Sequence, residues 1–381
     1  MNTAAPTEND PNTHRRIVWI DIAKAIAMIL VFYGHISGSG DNPWFPDLEN
    51  SIWVIYLFHM PLFFMLSGLT FNPNKAWREF IVSRFKRLII PYFFFSLYGI
   101  AKSILKVTAP TIFASFHAGD MKQPSQELLN ILLGNARGLW FFLALFWGDI
   151  LLYAFNRICG SRLYFRMYLS ILVVIALFGW FSIQLTKTNE LLPFQLMRST
   201  EAIGFVGLGW LLARPIRSMN RRTMSLWGLA SIFAFILCVF WASKMDAPQY
   251  PAQMLYTILP HLAASITGSL VIITFAQWIP SWHWLLYIGR NTLTYYGLNG
   301  IAIAIVRKVL FSIIPVTIVV SHVLGQLILG ISIVLIAILI CRITTPVLIR
   351  WCWWGIGVDK KNRKDFCTLL RDSTKSSSSY Q

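Results

Sequence analysis

Charge is what this chain has least of. Asp, Glu, Lys and Arg together make up 13% of its 381 residues, about half the share found in soluble globular domains, which excludes a protein that presents its whole surface to water. Acidic residues are the scarcer sign, 16 against 33 Lys and Arg, for a formal net charge of +17. Cysteine is sparse and unpaired: Cys159, Cys238, Cys341, Cys352 and Cys367 show no metal-type spacing, so a disulfide framework and a zinc site are both excluded. A Gly-x-Ser-x-Gly run is missing, and with it the exposed serine nucleophile that such a turn presents. No repeat of about 20 to 50 residues is visible, which weighs against an inverted-repeat transporter.

What fills the chain instead is apolar and aromatic. Hydrophobic residues reach 56%, with 28 Phe, 16 Trp and 13 Tyr, and the mean hydropathy is +0.58. A bilayer with aromatic belts at its two interfaces accounts for that composition. Apolar stretches near the length of a membrane crossing fall at 17–36, 52–71, 85–105, 138–155, 165–185, 199–213, 223–243, 252–279, 285–306 and 317–345. The fold expected is therefore an all-α polytopic membrane bundle of about ten helices. The stretch at 199–213 is the weakest, because it opens on Arg198-Ser199-Thr200-Glu201, and an earlier helix start near Leu191 is the alternative boundary. Residues 1–16 are polar, end on His14-Arg15-Arg16 and run into an apolar span without a small-residue cleavage site, the pattern of a retained first helix.

Placing the N-terminus inside puts roughly two thirds of the Lys and Arg on the inner face, so the positive-inside rule predicts both termini in the cytoplasm. The basic charge is thus membrane topology, not a nucleic-acid surface, and the partners expected from it are membrane lipids. Three regions follow: a cytoplasmic tail at 1–16, a transmembrane domain at 17–345, and a basic, Ser-rich cytoplasmic tail at 346–381 whose end, from about Asp359, lacks apolar periodicity. The segments 37–51 and 106–137 fall outside, where they can shape a substrate mouth.

An ionisable side chain inside a span costs about 2.5 to 3.5 kcal/mol on insertion, so each one is a candidate site. The first span holds Asp21, Lys24 and His35, and at 100° per residue the step of eleven from Lys24 returns His35 to within about 20° of the same face. One account is an Asp21–Lys24 pair with His35 closing the helix; the other is a functional row. His59 lies in Phe58-His59-Met60-Pro61, where proline frees a backbone carbonyl that the histidine is placed to satisfy. Arg84 and Arg87 stand at i and i+3, as snorkelling anchors or as a two-guanidinium clamp for phosphate. Arg290 enters its span from the same inner side. Trp140, Glu201, His261 and Asn299 serve equally as belt, packing or function.

These residues, taken together, resemble a known family. Lys24 and His35 lie within Trp19-Ile20-Asp21-Ile22-Ala23-Lys24 … Val31-Phe32-Tyr33-Gly34-His35, a basic residue, ten residues and then His. With the Phe58–Gly68 run, Arg84-x-x-Arg87, Leu139-Trp140-Phe141-Phe142 and Ile288-Gly289-Arg290-Asn291-Thr292-Leu293, this order is similar to acyltransferase family 3, in particular the branch related to fucose 4-O-acetylase. Asn299 departs from the histidine that many members carry, so no catalytic role is read there. The resemblance implies a bacterial cytoplasmic-membrane enzyme that moves an acetyl group from acetyl-CoA, without a metal, to a sugar hydroxyl of a cell-envelope glycan or a lipid-linked sugar. His35 and His59 are then the expected catalytic residues, since an imidazole titrating near about 6.5 suits deprotonation of an alcohol. Lys24, Arg84, Arg87 and Arg290 are the expected CoA-binding cations, with Asp21 and Trp140 in support. The alternative reading is a transporter or flippase whose Lys24, His35 and His59 bind solute or relay protons.

Overall fold

The computed structural model describes residues 17–37, 44–108, 123–136, 138–185, 192–246, 255–314 and 321–359. The expected N-terminal tail, residues 360–381 of the expected C-terminal tail, residues 38–43 of the first outer loop, and 109–122 and 137 of the 106–137 segment lie outside them. Every regular element among the described residues is helical. In chain order these are α1 (Val18–Gly34), α2 (Glu49–Tyr56), α3 (His59–Leu69), α4 (Trp77–Arg84), α5 (Ile90–Thr108), α6 (Pro124–Leu132) and α7 (Trp140–Cys159). There follow α8 (Arg162–Leu185), α9 (Leu196–Ser218), α10 (Arg221–Met245), α11 (Leu255–Phe275), α12 (His283–Arg290), α13 (Thr292–Ile313) and α14 (Val323–Trp351).

Eight helical runs among the described residues are long and apolar enough to cross a membrane. The remaining two of the ten expected stretches are α1, with 17 residues, and α9, whose Arg198, Glu201, Arg214 and Arg217 dilute its apolar content. Helix α9 starts at Leu196, not near Leu191, after a turn in which Phe194 and Gln195 adopt left-handed backbone. It is nevertheless a core element, packed on α3, α7 and α8. The approach to α3 is close: a Cβ on Gly68 would strike the carbonyl of Val206, and one on Gly209 the carbonyl of Met65. Where lipid offers no hydrophobic drive between helices, small residues at such crossings let dispersion and polar contacts hold them.

Helix α1 sits at the centre, against α3, α11, α12, α13 and α14, with Ile20, Ala23, Ala27, Val31 and Phe32 fully or almost fully buried. The opposite case is α10, which leaves Leu226, Leu229, Phe233, Ile236 and Phe240 exposed, an apolar surface suited to lipid.

Three expected spans are interrupted. The 52–71 stretch breaks between Tyr56 and His59. Pro61 has no N–H to give the carbonyl of Leu57; that carbonyl accepts instead from the Ser265 hydroxyl of α11. The 85–105 stretch begins earlier, at Trp77, and passes through a π turn at Phe85–Ile89. Pro91 cannot donate to Arg87, and the wider turn closes with Ile90 N–H on the Phe85 carbonyl. The 285–306 stretch divides at Asn291, whose side-chain amide donates to the Tyr287 carbonyl at 2.9 Å, ending α12 before α13 begins. The last helix also runs past the expected boundary at 345, to Trp351, with Pro346 inside it.

Candidate active site

The interruptions place polar groups where straight helices would bury them. A cavity of about 900 Å³ opens between α1, α3, the α4–α5 turn, α12, α13 and α14. Five cations line it: Lys24, Arg84, Arg87, Arg290 and Arg342. All four expected CoA-binding residues are therefore brought together from four separate elements. Arg84 Nε lies 3.1 Å from Asp149 Oδ2, a carboxylate with no exposed side-chain surface, and the guanidinium also covers the Phe80 ring at 5.3 Å. Arg290 lies 3.8 Å from the buried carboxylate of Asp21. Arg87 faces Asp359, at 3.9 Å, on the segment after α14 whose Ile356, Gly357 and Val358 form part of the cavity wall.

The acid that the expectation paired with Lys24 thus orients Arg290. That contact is possible because Gly289 packs directly on the α1 backbone: a Cβ there would collide with the Asp21 carbonyl. The start of α13, Thr292 to Thr294, lines the same space. With 22 residues behind it, this N-terminus turns unpaired N–H groups and the positive end of the helix dipole toward any bound anion. A cavity so built favours a polyanion, and phosphate in particular, since guanidinium offers a planar two-point contact.

A second, smaller pocket of about 350 Å³ lies at the other end of α1, lined by Gly34, His35, Ser37, Glu49, Ile52, Tyr56, Gly300, Ile303 and Arg307. His35 follows the last residue of α1 and is exposed. Its Nδ1 lies 2.8 Å from the Val31 carbonyl. A carbonyl only accepts, so Nδ1 carries the proton and Nε2 keeps the basic lone pair. Nearby, Ser37 donates its hydroxyl to Glu49 Oε1 at 2.5 Å, and Arg307 donates to the Ile36 carbonyl at 3.4 Å while covering Trp44 at 5.7 Å.

His59 enters neither cavity. It is 2% exposed, donates from Nδ1 to the Ile55 carbonyl at 2.9 Å and packs edge-on against Tyr56. Tyr56 in turn stands 6.0 Å from the His35 ring and donates its hydroxyl to the Gly34 carbonyl. Trp140 also stands back from the large cavity, with Arg198 over its ring at 4.3 Å; its neighbour Phe141 is the wall residue. That corner is tied down by Tyr296, which donates to the Gly138 carbonyl at 2.6 Å and accepts from Phe141 N–H at 3.4 Å.

The two cavities are close. On α13 Tyr296 lines the large one and Gly300 the small one, four residues and so about 6 Å along the axis. On α1 Lys24 and His35 are about 16 Å apart along the axis. The residues lining the two cavities thus come within about one turn of each other on α13, while Lys24 and His35 stand about three turns apart on α1.

Residues 17–342 match the family model described as an acyltransferase domain. The chain belongs to acyltransferase family 3. No curated protein and no solved structure matches it. The matched range contains all the motifs quoted from the sequence as well as the α1 and α13 walls of both cavities, and membership sets the transport alternative aside: the protein is a membrane acyltransferase. Among the described residues no group of three His, Cys, Asp or Glu side chains is placed to hold a metal.

Two members of the cation chamber went unread in the sequence. Asp149 carries the same signal as Asp21, an acid inside an apolar span, and the rule that singles out one applies to the other. Arg342 stands in the sequence among the cations near the C-terminus, and linear sequence does not show that α14 turns it toward Tyr287 of α12.

Proposed function

We propose that the protein is an integral-membrane O-acetyltransferase that takes acetyl from cytoplasmic acetyl-CoA and delivers it to a sugar hydroxyl of a bacterial cell-envelope glycan or lipid-linked sugar. The single observation that carries this reading is the pairing of a five-cation chamber with an exposed His35 whose Nε2 is left basic, in two cavities whose lining residues come within one turn of each other on α13. The chamber fits the phosphates of CoA, with Arg84 held by Asp149 and Arg290 by Asp21, so that these two guanidinium groups are oriented before the donor arrives.

In the proposed step His35 Nε2 removes the proton from the acceptor hydroxyl, and the oxygen attacks the thioester carbonyl. The C–S bond then breaks, and the CoA thiolate leaves and takes up the proton from the imidazolium. The fixed Nδ1–H bond to Val31 preserves the tautomer through this cycle. His59, behind Tyr56, keeps the Tyr56 ring and thereby the His35 side of the small pocket in place. Both termini are assigned to the cytoplasm, which puts the cation chamber at the inner face, the small pocket toward the outer one, and the protein in the cytoplasmic membrane.

The test uses the full chain in proteoliposomes with labelled acetyl-CoA and envelope glycans from cells lacking the protein. Label appearing in glycan ester is expected; none in the presence of intact protein overturns the reading. Cysteine substitutions at Ser37 and Lys75 locate the faces: an impermeant maleimide is expected to label the first from outside and the second only from inside. Labelling of both from one side overturns the topology.

A further inference from the structure

Two side chains of α13, Tyr295 and Asn299, carry a buried oxygen without a hydrogen-bond partner, and Asn299 is the one that falls between the residues lining the two cavities. Asn299 is 4% exposed, and its Oδ1 is buried with no hydrogen-bond partner. Leaving such an acceptor unpaired in a low-dielectric interior is costly, and native structures do so rarely without a reason in binding or catalysis. Its position supplies one. By helical rotation Asn299 lies about 60° from Tyr296, which lines the cation chamber, and about 40° from Ile303, which lines the His35 pocket. Along the axis it falls between them, three residues from Tyr296 and one from Gly300. On α13 it therefore lies in the turn that separates the residues lining the cation chamber from those lining the His35 pocket.

Resting on the acetyl-CoA reading above, we infer that Asn299 is a binding residue for the pantetheine arm of the donor, its Oδ1 accepting from an amide N–H of that arm as the thioester passes toward His35. The chemistry is complementary. The arm is a chain of methylenes interrupted by two secondary amides, so it brings the N–H donors that an isolated buried acceptor lacks. A phosphate does not match Asn299 Oδ1, because both are acceptors. The two ends of the donor are thus read by different groups: guanidinium and ammonium for the nucleotide phosphates, a neutral amide for the arm.

The experiment compares two probes on the purified full-length protein in detergent. CoA carries nucleotide and arm; adenosine 3′,5′-bisphosphate carries phosphates without the arm. Asn299→Leu keeps side-chain volume and removes the acceptor, a change that leaves unliganded thermal stability the same or raises it. It is expected to weaken CoA binding about 5- to 10-fold, the effect of one neutral hydrogen bond, with adenosine 3′,5′-bisphosphate binding unchanged. Asn299→Ala is the second variant and is expected to show the same selective loss. Equal loss for both probes, or no loss for either, overturns the assignment of Asn299 while leaving the donor reading standing. If the parent protein binds neither probe, the donor reading falls and takes this inference with it.

Discussion

The two cavities are built by opposite means. The larger takes five cations from α1, the α4–α5 turn, α12 and α14 and counters three of them with Asp149, Asp21 and Asp359; the smaller holds one cation, Arg307, one carboxylate, Glu49, and an imidazole oriented by a backbone carbonyl. Fixed charge in a poorly solvated site recognises a charged ligand strongly, but it does nothing for proton transfer. A group that must change protonation during each turnover needs surroundings with little net charge. On the proposed reading, donor recognition and proton transfer are separated in space, so each can be damaged without the other.

The sharpest break is at His35. His35→Ala is expected to lower transfer by about 10² to 10⁴-fold, the range of a lost general base, with CoA binding and abundance retained, because the side chain is exposed and packs little. Radiolabel transfer beside a CoA-binding measurement checks it; near-parental transfer removes His35 from the mechanism. Arg87→Ala should do the reverse. Loss of one charge-assisted contact, about 1.5 to 3 kcal/mol, weakens CoA binding roughly 10- to 100-fold by calorimetry while the acceptor KM holds. Arg84→Ala is expected to lower abundance as well, since it strands the buried Asp149 carboxylate; Arg84→Ala with Asp149→Asn should restore abundance but not CoA affinity.

Gly300→Leu addresses the small pocket alone. A Cβ at Gly300 meets nothing within 4 Å, so the larger side chain grows into the pocket instead of into the fold. A several-fold rise in acceptor KM with unchanged CoA binding is expected from steady-state kinetics, and an unchanged acceptor KM would place the acceptor elsewhere. The smallest effect is Ser265→Ala, which leaves the Leu57 carbonyl at the α2–α3 break without its hydroxyl donor. About 1 kcal/mol of stability is expected to be lost, read as a lower Tm, with CoA binding intact.

Much of this was legible in the sequence for a simple reason. Lipid imposes one rule on every residue of a span, so Lys24, His35, Arg84, Arg87 and Arg290 stand out against an apolar background without any knowledge of their neighbours. The same rule reads incompletely where the partner decides the role. Asp21 is three residues from Lys24 on one helix, but its contact with Arg290 comes from another helix and is invisible in the sequence, because it depends on Gly289 letting α12 approach the α1 backbone. His59 carries the same chemical signal as His35, but the break around Pro61 turns it into the bundle and leaves His35 open.

The sequence by itself determined that the chain is a helical membrane protein, where its apolar runs lie, and which family it resembles, because composition, periodicity and ordered motifs are local properties of the chain. Tertiary structure alone decided that the cations from α1, the α4–α5 turn, α12 and α14 share one chamber and that the imidazole has a separate pocket. It also decided that α9, the most polar of the expected spans, is a core helix, whereas the apolar α10 faces outward. The physical reason is that long-range helix contacts depend on where the chain breaks and where glycine permits close approach, and in a membrane it is polar and small residues, not apolar ones, that choose their neighbours.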